Sequence, residues 1–372
     1  MKRLAAAIAL VLPWVACAHR GASGAQPVAG SALGPAWTVA IDAASGTQLA
    51  PISGGFLAAT PAGIVIRINA EDGVETWRRD LGAAIAGPLA VAPAAAGSID
   101  ALAAVPLEGG RVAVFSQRTG VEGVSPNPGW GEMTLVAARD GVVALSKEGL
   151  VRRYRADSPD PSWERRLPAP PSAPGAICAG RFLVGLEDGR IVGVDLETGE
   201  IRTRKDLGSP AAVAPTCSDR TAWVATTDNT VHALRLHARR AGETWKVRSG
   251  ADPAAAPLLF RENLLFLSKD TFLYGFRRNN GHLLFRLRLD RRPGPGAILD
   301  NLLFVAGPQS TRLDAFRLPD GHPAGSYILP EAARFITPPV ASNGRVAIVV
   351  GRYGEETSRL VGLASAIAGP SK

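Results

Sequence analysis

The side chains able to do chemistry are few. The chain of 372 residues has three cysteines, Cys17, Cys178 and Cys217, and five histidines. Cys178 and Cys217 offer two outcomes, one disulfide or two free thiols. His19 stands near the N-terminus, ahead of any patterned segment. His232 falls in an expected strand, where a structural role is the default. His237, His282 and His322 fall at expected turns, in solvent. Nucleophilic catalysis needs a hydroxyl or thiol held beside a base. No Gly-x-Ser-x-Gly elbow, His-Glu-x-x-His or phosphate-binding loop occurs. Gly54-Gly55 and Gly109-Gly110 lack the Lys-Ser/Thr of a phosphate loop and belong to hairpins. Asp72, Asp188 and Asp320 each directly precede a glycine. A short acidic side chain there bonds its own backbone and forms a turn; a catalytic carboxylate pair is the weaker reading. No catalytic, cofactor-binding or metal-ligating residue is assigned, and the chain reads as a non-enzyme.

Cys17 carries the one covalent expectation. Met1-Lys2-Arg3 is a short basic start and Leu4 to Leu12 an apolar core. The core is too short to span a bilayer as a helix. Val15-Ala16 puts small residues before Cys17. Residues 1–16 read as a secretory signal peptide. The cysteine resembles the acylated residue of a bacterial lipoprotein signal, although Trp14 stands where such signals usually have Leu. An ordinary signal with an incidental cysteine is the alternative. Ala18 follows Cys17, which by resemblance to enterobacterial sorting implies the outer membrane. Residues 17–36, rich in Gly, Ala, Ser and Pro, read as a lipid-anchored flexible tether.

Composition narrows the elements behind these residues. Gly and Pro number 41 and 29, which suits a turn-rich, all-β chain. Formal net charge is +8, and 35 of the 41 basic residues are arginine. Clusters at Arg152-Arg153-Arg155, Arg165-Arg166, Arg239-Arg240, Arg277-Arg278 and Arg291-Arg292 fall near expected strand ends. Solvated strand ends are one reading; a basic rim for an acidic protein face or anionic lipid is the other. No nucleic-acid reading motif accompanies the charge.

The chain repeats. Ile64 to Asn69 leads to Asp72-Gly73 and then Trp77; Ile191 to Asp195 leads to Thr198-Gly199; Phe272 to Phe276 leads to Asn280-Gly281 and then Phe285. Each is an alternating strand, a tight turn and a second strand. Turn glycines are read at Gly73, Gly120, Gly199, Gly242, Gly281 and Gly321, with a degenerate copy near Asp157-Ser158. A period near forty residues with twofold alternation is that of a propeller blade with four short strands. Seven units and a short eighth follow. Trp37 to Ile41 can supply the eighth unit's missing strand, which predicts an eight-bladed β-propeller over 37–365, closed by the N-terminal strand. Seven blades is the alternative, because the second and third units are irregular. Pro93 to Ser98 and Ser125 to Gly131 are expected inserted loops there. Residues 366–372 form a C-terminal tail.

Asp72-Gly73-Val74-Glu75-Thr76-Trp77 and Ala241-Gly242-Glu243-Thr244-Trp245 resemble the PQQ-like propeller repeat, and the pattern extends over most of 37–365. A single-domain lipoprotein of this size is similar to the BamB family of outer-membrane barrel-assembly lipoproteins. That resemblance implies a non-enzymatic periplasmic scaffold at the outer membrane, binding a subunit of the barrel assembly machinery. The family's Leu-x-Leu-Arg and Asp-x-Asp contact motifs are absent from the connectors Leu167 to Pro174 and Leu207 to Val213. The partner is therefore open, and another envelope protein or a glycan is the alternative. A quinone-dependent enzyme on the same fold would resemble a longer chain with a Cys-Cys pair, which is absent here. Cys178-Ala-Gly-Arg181 aligns with Cys217-Ser-Asp-Arg220 in consecutive units. Bridged Cα atoms lie within about 7 Å, so equivalent sites on separate blades predict two buried free thiols; a disulfide is the alternative in an oxidising compartment.

Overall fold

A computed structural model describes residues 33–41, 46–92, 101–238, 240–329, 333–352 and 358–364. Cys17, His19, the expected signal peptide, the expected C-terminal tail and the expected loop Pro93 to Ser98 lie outside these residues. The described residues form eight antiparallel sheets with no helix. Blade 1 is Gln48–Ile52, Gly55–Ala59, Ile64–Asn69 and Glu75–Asp80. Blades 3 to 7 repeat that meander from Met133 to Ile328. In each, chain order equals strand order from the ring's interior outwards.

The eighth blade closes the ring. Its strands Arg345–Arg352 and Ser358–Ala364 are followed, in space, by Gly34–Ile41 from the other end of the chain. Gly34 pairs with Ala364 and Ile41 with Ser358. Closure removes the edges that an open row of blades would expose. Eight blades, not seven, follow from this pairing.

Apolar alternation explains the packing. Each blade's second and third strands are buried on both faces, and eight clusters of apolar side chains fill the eight seams between neighbouring blades. Outer strands are half exposed. Glu75–Asp80 alternates between exposed residues and half-buried Trp77 and Arg79.

The turn glycines have a second purpose. Gly73, Gly120, Gly199, Gly281 and Gly321 all have φ between +67° and +75°. A Cβ on any of them would come within 2.8 Å of an aromatic ring on the preceding blade. Those rings are Trp37, Trp77, Trp163, Trp245 and Phe285. Each tryptophan also donates its indole N–H to the carbonyl three residues before the glycine. The acceptors are Ala70, Gln117, Leu196 and Arg278, at 2.9, 3.3, 2.8 and 3.0 Å. A register irregularity recurs beside the aromatic position in blades 1 and 3 to 7. Such a bulge re-aims the side chain, here towards the next blade.

Three expectations are corrected. Gly242 does not turn the chain. The preceding strand runs on to Leu236 and pairs with Ala241, so Gly242 sits in the outer strand opposite Arg235. Blade 2 keeps three strands, Ala90–Val91, Leu102–Pro106 and Val112–Ser116. Its fourth is replaced by an irregular run bonded to Val112–Ser116 through Val121, Gly123 and Pro126; Ser125 to Gly131 continues from it without forming a strand. Third, Cys178 and Cys217 are bridged, with Cα atoms 5.6 Å apart. Both stand on innermost strands, Ala176–Cys178 and Thr216–Ser218, where adjacent blades converge. Equivalent positions are far apart at the rim and close near the axis.

Candidate functional site

A four-stranded meander sends its loops to two faces. One face carries the connectors between blades and the hairpins between second and third strands. The other carries the remaining hairpins, and there the chain enters the ring at Gly34.

The connector face holds a cavity of about 500 Å³ over blades 2 to 4. Its wall includes Ala86 to Pro88, Glu132 to Thr134, Leu145 to Lys147, Pro171 to Pro174 and Glu187. The connector Leu167 to Pro174 is rich in proline, which holds an extended backbone without spending N–H donors. Ser172 donates its N–H to Gly185 at 3.0 Å, while its buried hydroxyl has no partner. Gln48 anchors the neighbouring connector by donating to Gly87 at 2.9 Å and accepting from the Leu89 N–H. Lys147 and Glu132 pair at the mouth. The lining mixes small apolar and proline residues with the hydroxyls of Thr134, Ser146 and Ser172 and the charged Glu132, Lys147 and Glu187. It suits a protein segment that makes apolar and polar contacts together.

A second cavity, of about 470 Å³, opens on the hairpin face where blade 8 meets blades 1 and 2. Ser342 donates to Ile52 at 2.6 Å, and the Gly54 N–H reaches Asn343 at 3.1 Å. Gln117 is buried and donates to Ala92 and Leu102, both at 2.8 Å. The bonds of Ser342 and Asn343 tie blade 8 to blade 1, and those of Gln117 lie within blade 2.

The polar residues singled out by sequence are scattered. The side chains of Asp72, Asp188 and Asp320 accept backbone N–H bonds from Val74, Arg190 and His322 at 3.0, 3.1 and 3.2 Å. They are turn formers. The Arg190 guanidinium bonded to Asp188 holds its carboxyl below the usual carboxylate range. His237, His282 and His322 are exposed. His232 is 3% exposed, with Nδ1 2.8 Å from Glu243 Oε2 and Nε2 without a partner. No group of three or more His, Cys, Asp or Glu among the described residues is placed to hold a metal.

Arg153 was expected at a solvated strand end, and it is 2% exposed. Its Nε donates to Leu196 at 3.0 Å and a terminal nitrogen donates to Asp140 at 2.6 Å. Burial pushes the Asp140 carboxyl up, but the bond and charge of Arg153 outweigh it and hold the group below its ordinary range. The sequence signal was present: Arg153 lies directly across the strand pair from Trp163, so it shares the seam-facing side.

A family model described as PQQ_2, outer membrane protein assembly factor BamB, matches residues 147–295. This chain resembles BamB. The matched stretch runs from the hairpin between the second and third strands of blade 3 to the start of blade 7 and includes the connectors Leu167 to Pro174 and Leu207 to Val213. BamB from Moraxella catarrhalis superposes with a TM-score of 0.68 at 16% identity, covering 89% of this chain and 100% of that one. The computationally designed Ika8 protein gives 0.66 at 13% identity, covering 84% of this chain and 95% of its own. The C-terminal WD40 domain of Sif2 gives 0.66 at 12%, covering 87% and 97%. No curated protein matches the sequence. The three structures show the fold alone; the family match adds that the stretch 147–295 is similar to the PQQ_2 family described as outer membrane protein assembly factor BamB.

Proposed function

We propose that this chain is a non-enzymatic scaffold of the bacterial envelope that assists outer-membrane β-barrel assembly by binding a partner subunit. The observation that carries the reading is the BamB-type match over 147–295, which takes in the connector Pro171 to Pro174 on one wall of the 500 Å³ cavity. In this reading residues 1–16 are removed, Cys17 is acylated, and 17–36 tether the ring to the periplasmic face of the outer membrane. Acyl chains contribute roughly 0.8 kcal/mol per buried methylene, so the anchor holds without a membrane span.

The partner docks on the connector face. Photo-crosslinkers at Pro171 and Pro174 in native cells should give adducts containing a barrel-assembly subunit. Adducts that contain no such subunit would sink that assignment. A second reading, an envelope binding module for another protein or a glycan, is favoured by the missing Leu-x-Leu-Arg and Asp-x-Asp motifs. The identity of the adduct separates the two. Mass spectrometry of the mature N-terminus should show a lipid-modified Cys17; an unmodified residue there removes the anchor.

A further inference from the structure

The outer strands of blades 4, 5 and 6 are Ile201–Asp206, Ala241–Arg248 and Leu283–Arg288. Aligned on their seam-facing residues Thr203, Trp245 and Phe285, the next position reads Arg204, Lys246 and Arg286. Two residues further on, Arg248 and Arg288 follow in blades 5 and 6. All five are exposed. Among the described residues, none of the five has a carboxylate within ion-pair reach. Arg286 lies over the Phe272 ring at 3.7 Å, which orders its guanidinium without neutralising it. Asp206, on the same side in blade 4, is engaged by the Gly208 N–H at 2.8 Å.

Charge on an edge strand blocks unwanted strand pairing, and that is the plainer account of such residues. The other blades weaken it. Blade 1 pairs Arg78 with Glu75 at 2.8 Å, and blade 3 pairs Glu164 with Arg152 at 2.6 Å. Blade 7 has Ser326 and exposed Ile328 at the matching places and no charge. Blade 3 also carries exposed Arg166 three residues after Trp163, bonded among the described residues only to the Glu148 carbonyl at 3.4 Å. Uncompensated positive charge that is densest on blades 4 to 6 and continues into blade 3 repels itself and calls for an external anion.

We infer that the outer wall of blades 4 to 6 docks an acidic, extended segment of a partner protein. This rests on the scaffold reading and adds the partner's chemistry and a second surface. A protein fits better than a bilayer for two reasons. The wall is the convex side of a ring, so a flat membrane meets few of these strands at once. The outward backbone N–H and C=O groups of edge strands are open to strand addition, with alternate acidic side chains reaching alternate cations. Gly34, where the chain enters, lies in blade 8, across the ring from blade 4.

The test uses the purified full chain and a fluorescent peptide of alternating Glu and Val, with a Gln-Val peptide as control. Vesicles of phosphatidylethanolamine and phosphatidylglycerol are the lipid probe. The acidic peptide should bind, and its affinity should fall about tenfold from low salt to physiological ionic strength, where the screening length is about 8 Å. Replacing Lys246, Arg248, Arg286 and Arg288 together by Ser should cost at least as much, with circular dichroism unchanged. If that variant fails to fold, Lys246→Ser and Arg288→Ser singly, with the salt dependence of the unaltered chain, decide the matter. Equal binding of the two peptides, no salt dependence, or vesicle binding without peptide binding overturns the proposal. In cells, a crosslinker at Arg288 that gives no adduct while Pro174 does would sink the wall and leave the scaffold; silence at both sites would sink both.

Discussion

Two neighbouring seams hold together by different means. Between blades 3 and 4, Trp163 covers Gly199 and donates to Leu196, while Arg165 donates to Gly199 at 2.6 Å. Buried Arg153 donates to the same Leu196 carbonyl. Between blades 4 and 5 the tryptophan's place is taken by Thr203, fully buried beside Gly193. Arg181 spans that seam, donating to Thr203 at 2.8 Å and to Ala238 at 3.0 Å. The same pair of blades carries the disulfide near the axis. Where the outer aromatic anchor is lost, a covalent link secures the inner end. A propeller seam can thus be fastened at either radius, because each blade buries its apolar faces only against its two neighbours.

The largest effect should come from removing the outer anchor. Trp163→Ala should cost about 3 to 5 kcal/mol of unfolding free energy, measured by urea titration, through lost burial and the lost indole bond to Leu196. The same substitution made at Thr203 should cost much less, since its side chain is small; equal costs would erase the contrast.

Cys178→Ser with Cys217→Ser should cost about 2 to 4 kcal/mol, because the bridge closes a loop of 39 residues in the unfolded chain. Reductant should reproduce the loss in the parent and leave the double variant unchanged. A parent indifferent to reductant would show that the disulfide does not secure this seam.

Gly199→Ala should cost about 2 kcal/mol. Its φ of +69° disfavours any L side chain, and the new Cβ would sit 2.8 Å from the Trp163 ring. Combined with Trp163→Ala the penalty should shrink, since the obstructing ring is gone. Strict additivity would argue that the two residues do not meet.

Asp140→Asn is the smallest, at about 1 kcal/mol, because Asp140 is partly exposed and its pair with Arg153 is screened. The carboxyl's folded pKa is depressed, so its contribution is complete above the ordinary carboxylate range and disappears as pH falls through the folded value. Parent and variant should converge in acid, and a gap that persists at low pH would exclude the charge pair as its source.

Much of this architecture was legible before any coordinates. The glycine after each acid, Thr or Asn announced a hairpin because left-handed backbone is a local requirement. Trp77, Trp163 and Trp245 announced the outer strand because they recur at one offset. Trp37 announced closure for the same reason. Gly242 misled because Gly-Glu-Thr-Trp resembles Gly-Val-Glu-Thr-Trp, although Gly242 stands three residues before its tryptophan and the turning Gly73 four. Of the candidate site, the Pro-rich connectors were visible as segments, but not the cavity they share with Glu132 and Lys147.

The sequence by itself determined what each forty-residue unit does, since strand alternation, turn chemistry and the buried side of each strand are set within a few residues. Only the tertiary structure decided how units meet. The reach of Cys178 to Cys217, the burial of Arg153 and the unpaired wall of Lys246, Arg248 and Arg288 depend on distances across seams. Those distances follow from the ring's radius at each strand, which no local pattern encodes.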